Sequence, residues 1–128
     1  MKVLTIIVRV LLGLVFVVFG SNAFLHFLPM PPMEGPAGAF FGALNATGYL
    51  RAIAALQIAG GALLLLGRTA PLGLTLLGPV IVNIVLYHVF MDRAGTPVAL
   101  VIAALTLFLL WRYRSAFAGL VRPWTSPA

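Results

Sequence analysis

The chain has 128 residues, of which 62% are hydrophobic and only 8% charged, against roughly 25% charged in a soluble domain. Glu34 and Asp92, its two acidic residues, cannot keep so apolar a chain dispersed in water, so the lipid bilayer is its expected solvent. The net charge of +6 does not point to nucleic acid, because the basic residues flank apolar runs and form no aromatic-interleaved patch. The absence of cysteine excludes disulfides, thiolate metal sites and thiol redox chemistry within the chain.

The first apolar run is Leu4 to Phe24. It is longer than the 7–15 residues, roughly, of a signal-peptide core, and it reads as a retained helix. Leu25 to Gly48 is the longest connection. Pro29, Pro31, Pro32 and Pro36 block a helix near its start. Ala37 to Leu44 is too short to span, and its Phe40 and Phe41 fit a short interfacial helix.

Tyr49 to Leu66 is the second spanning run. The tight turn Gly67-Arg68-Thr69-Ala70 leads to the third, Pro71 to Phe90, and Met91 to Thr96 leads to the fourth, Pro97 to about Trp111. Proline is tolerated in a helix's first turn. Arg112, Tyr113, Arg114, Arg122 and Trp124 make a tail of the kind found at a membrane boundary. The short turns predict an all-α, transmembrane, antiparallel four-helix bundle forming a single domain over residues 1–128.

Four spans put both termini on one side. Lys2, Arg9, Arg68, Arg112, Arg114 and Arg122 fall at that set of ends, and Arg51 and Arg93 at the other, with both acids. The positive-inside rule then places the termini in the cytoplasm and the long proline-rich loop outside; the expected location is the cell (inner) membrane.

Polar residues at membrane depth are the candidate site. With a rise of about 1.5 Å per residue, Gln57 lies roughly 12 Å and Asn83 roughly 10 Å below the outer boundary. Tyr87, His88, Asn22, His26 and Arg51 lie closer to it. Arg9 shares a stripe with Gly13, Phe16 and Gly20, which turns it toward other helices; the alternative is that it snorkels to headgroups. Gln57 and Asn83 either bond across helix interfaces or touch a ligand. His26 and His88 are either wetted interfacial side chains, a proton-accepting pair, or ligands of a haem, the last being disfavoured. No CxxCH, HExxH or phosphate-binding glycine loop occurs.

Several segments resemble the DoxX-like family of small four-helix membrane proteins. They are RVLLGLVFVVFG (9–20), LPMPPMEGPAGAFFGALNATGYL (28–50), LQIAGGALLLLGR (56–68) and PLGLTLLGPVIVNIVLYHVF (71–90). The resemblance implies that Arg9, Gln57, Asn83 and His88 line a central polar site. The family position matched by Gln57 is often glutamate, so a mechanism needing a titratable carboxylate there is not expected. The resemblance also implies a non-catalytic subunit, assembly factor or partner of a membrane redox or detoxification system. The alternative is a protein that binds a quinone-like or other small amphiphile through Arg9, Gln57, Asn83, His88, Tyr87 and His26. No cofactor is required by either reading. A transporter is disfavoured, since no inverted repeat is evident. The expected partners are the lipid bilayer and either another protein or further copies of the chain.

Overall fold

The computed structural model describes residues 1–30, 32–122 and 126–127. Trp124, expected in the boundary tail, lies outside the described residues. Within them the chain is helical and has no strand. The helices are α1 (Lys2–Leu25), α2 (Gly35–Thr47), α3 (Tyr49–Leu66), α4 (Ala70–Phe90) and α5 (Thr96–Arg112), with 3-10 turns at Arg93–Gly95 and Arg114–Val121. Four stretches are long and apolar enough to cross a membrane: α1, α3, α4, and the run Arg93–Arg112 that contains α5. The expected runs are recovered to within a residue or two at each end. Ala37–Leu44 lies inside the longer α2.

Each boundary has a local cause. α1 ends at His26, which adopts the left-handed conformation (φ 52°) and donates its N–H to the Asn22 carbonyl at 2.9 Å. Asn22 is buried, and its Oδ1 accepts the Leu28 N–H at 2.7 Å, which turns the chain toward the prolines. Gly48, at φ 79°, separates α2 from α3 without a connecting loop. The turn from α3 to α4 is closed by Thr69, whose hydroxyl donates to the Leu63 carbonyl at 2.8 Å.

Inside hydrocarbon, helices gain little from the hydrophobic effect and associate through close packing. Here glycine provides it. A Cβ added at Gly61 would lie 2.7 Å from the Gly13 carbonyl oxygen of α1, and one added at Gly73 of α4 would lie 2.7 Å from the Gly60 carbonyl oxygen. Gly60 and Gly61 are consecutive, so their faces differ by about 100° around the helix. One meets α4 and the other α1, which makes α3 the centre of the assembly. The stripe of Gly13, Phe16 and Gly20 on α1 is buried against α3. Val8, Leu12 and Phe16 of α1 join Leu64 of α3, Leu74, Leu77 and Ile81 of α4 and Leu109 of α5 in the core. Of the four spanning stretches, the one containing α5 is the least enclosed, with Ala99, Thr106 and Leu109 buried.

Candidate functional site

The candidate polar residues divide among five places. Arg9 lies at the end of the molecule that holds the N-terminus and the α3–α4 turn. Its Nη1 donates to the carbonyls of Leu64 and Leu65, the latter at 3.1 Å. These oxygens belong to the last turn of α3, where the helix dipole is negative; the Leu64 oxygen also accepts the Gly67 N–H at 3.3 Å. Arg9 therefore turns inward and caps a neighbouring helix. Hydrogen bonds made by a charged donor are worth about 1.5–3 kcal/mol. Gly67 is needed beside it: a Cβ there would sit 3.1 Å from Arg9 Nη1, and its backbone holds φ 85°.

Gln57 lies on the α1–α3 interface, where a Cβ added at Gly20 would come within 3.2 Å of the Gln57 Cβ. Its side chain is half-buried, and its amide makes no hydrogen bond among the described residues. Asn83 is on α4 and exposed. Its Nδ2 donates to the Pro79 carbonyl one turn earlier, at 2.8 Å, while its Oδ1 has no partner among the described residues. Gln57 and Asn83 therefore do not face each other across an interface.

Tyr87 and His88 lie together, with ring centroids 4.9 Å apart. Phe40 stacks on Tyr87 with ring centroids 5.8 Å apart, and Phe41 meets the same ring edge-on at 5.1 Å. The Tyr87 hydroxyl lies 3.7 Å from Met33 Sδ. These contacts seat α2 on the end of α4. His88 Nδ1 is 3.5 Å from a carboxylate oxygen of Asp92 and 3.2 Å from the Asp92 carbonyl. A Cβ at Gly95 would collide with the His88 ring, so that glycine makes the turn into α5 possible. His26 is exposed at the end of α1, and no hydrogen bond or ring contact joins it to His88 among the described residues.

Around Arg9, side chains that sequence reasoning did not place in a site complete the terminal end. Lys2, Thr5, Arg9, Gly67, Arg112 and Tyr113 line an open cleft of about 360 Å³. Arg112 Nε donates to the Thr5 hydroxyl at 2.8 Å, and that hydroxyl donates to the Met1 carbonyl at 2.8 Å. Lys2, Thr5 and Arg9 recur at helical spacing, a signal visible in the sequence; the joining of Thr5 to Arg112 had none. At the opposite end, a second open cleft is lined by Val89, Arg93 and Thr96, where the buried Thr96 hydroxyl has no partner among the described residues. No group of three or more histidine, aspartate and glutamate side chains able to hold a metal occurs among the described residues.

The fold defines a class, the all-helical multi-pass membrane proteins. No family model matches the chain, and no solved structure matches it. A protein of Bacillus subtilis (strain 168), described as uncharacterized protein YwoB, is similar to it, with 38% identity over 66 residues. That match spans 52% of this chain and 43% of the relative, less than half of the relative's length.

Proposed function

We propose that the chain is a DoxX-like, non-catalytic subunit or assembly partner of a membrane redox or detoxification system, acting through contacts with another chain inside the bilayer. The observation that carries this reading is Asn83. It sits seven positions before the end of α4, surrounded by apolar residues, and it faces outward. An amide oxygen facing hydrocarbon is costly, and such residues serve as interhelical bonding groups when a second helix covers them. The dispersal of Arg9, Gln57, Asn83 and His88 to separate places supports the same reading, since a ligand pocket needs convergent groups.

In this proposal the spans form an antiparallel four-helix bundle in the cell membrane, with both termini cytoplasmic and α2 at the opposite interface. The charge asymmetry between the two sets of ends supports that orientation. The partner is either a second copy or a different membrane protein. The test is native mass spectrometry of the protein extracted in polymer-bounded discs of its own membrane, without detergent. A second chain in the particle is the expected result. Particles holding one copy and no other protein would overturn the proposal.

A further inference from the structure

We infer that the cleft at the terminal end is a binding site for the phosphate of an anionic phospholipid. Three cations from two helices far apart in sequence are gathered there: Lys2 and Arg9 of α1 and Arg112 of α5. Among the described residues the ion pair found is His88 with Asp92, and it involves the turn that leads into α5 from the opposite end. Among the described residues no carboxylate lines the cleft to offset the three like charges. Such a gathering is unfavourable unless the groups are held in place and an anion shares their field.

They are held. Arg9 is fixed through Nη1 by the carbonyls that end α3, and Arg112 through Nε by the Thr5 hydroxyl. The remaining N–H groups of both guanidiniums have no partner among the described residues, and Lys2 is exposed at the rim. Planar guanidiniums with fixed orientation suit phosphate oxygens better than a mobile ammonium does. The α3 carbonyls offset part of the Arg9 charge, and the cleft remains cationic.

The cleft's position selects lipid over free phosphate. Arg112 lies 5.8 Å from the centroid of the Trp111 ring and Arg114 lies 5.1 Å from it, an aromatic and basic grouping of the kind that settles at headgroup level. Ile6 shares the cleft wall with the cations, so acyl chain and headgroup meet complementary surfaces on one helix face. The inference stands independently of any protein partner.

The experiment is titration of the purified protein in nonionic detergent with phosphatidylglycerol, phosphatidylcholine or inorganic phosphate, read by native mass spectrometry. Retention of phosphatidylglycerol, with affinity falling about five-fold in Lys2→Gln and again in Arg112→Gln, is expected. Arg114→Gln removes the same charge outside the cleft and should leave the affinity unchanged. Lys2 makes no side-chain hydrogen bond among the described residues, so Lys2→Gln tests the site even where Arg112→Gln weakens the fold. Equal retention of phosphatidylcholine, an equal loss in Arg114→Gln, or undiminished binding in Lys2→Gln would overturn the site. Inorganic phosphate binding as tightly as the lipid would overturn its assignment to a headgroup.

Discussion

The seam joining α1, α3 and α4 and the outward surfaces of α4 and α5 are built from similar apolar residues, yet they are organised oppositely. Along the seam, backbones approach until a single added carbon has no room: Gly13 meets Gly61, and Gly60 meets Gly73. On the outward side, Val82, Leu86, Val98, Val101 and Leu107 are exposed, and a Cβ added at Gly78 would meet nothing within 4 Å. Both regions suit hydrocarbon. Only the first commits the chain to one arrangement, because dispersion contacts fall away steeply with distance and close approach concentrates them. The second remains available to lipid or to another chain.

The sharpest way to break this contrast is Gly61→Leu. The side chain would meet the Gly13 carbonyl and the Val17 backbone, neither of which yields easily. Overpacking of this kind costs about 3 kcal/mol. Unfolding in mixed detergent micelles should show that loss; a change under about 1 kcal/mol would mean that α1 and α3 can separate at small cost.

The next largest effect belongs to the polar end of the seam. Arg9→Gln removes the charged donor from the α3 carbonyls, with an expected loss of about 2 kcal/mol and fraying of Leu64 to Leu66 in hydrogen exchange. Gly67→Ala should cost about 1–2 kcal/mol, since its φ of 85° strains any side chain and its Cβ would press on the guanidinium. Equal stability of the two variants and the parent would show that Arg9 reaches headgroups instead of α3.

These residues also show what could be read in the sequence. The spans were legible because apolar runs of 17 to 24 residues are bounded by glycine and proline at Gly48, Gly67, Pro71 and Pro97. The inward turn of Arg9 was half-legible, because Gly13, Phe16 and Gly20 mark one face but do not say which carbonyls lie opposite. The orientation of Asn83 was not legible. α4 is apolar all round, so its pattern has no preferred face, and depth alone put Asn83 level with Gln57. The union of Thr5 and Arg112 joins positions 107 residues apart, and nothing local to either foretells it.

On the outward side the expected effects are smaller and differ in sign. Gly78→Ala adds a methyl to open space and lowers the conformational freedom of the unfolded chain, so it should stabilise by about 0.5–1 kcal/mol. The same substitution at Gly60 would drive a carbon to within 2.6 Å of Leu77 Cγ and should destabilise. Opposite signs at two helical glycines would be a direct measure of the contrast between the surfaces.

Asn83→Leu is the subtlest test, because stability and association should respond separately. The substitution removes an intrahelical bond to the Pro79 carbonyl and replaces an exposed amide with an apolar group, so single-chain stability should stay within about 0.5 kcal/mol of the parent. An interhelical amide bond in a membrane averages about 0.6 kcal/mol, which is about three-fold in an association constant. Energy transfer between labelled chains, measured against lipid dilution in vesicles, resolves a shift of that size. A three-fold loss of association at unchanged stability would assign the Asn83 oxygen to a second copy of the chain. Unchanged self-association, together with loss of a different protein from the native-membrane particle, would assign it to a heterologous partner.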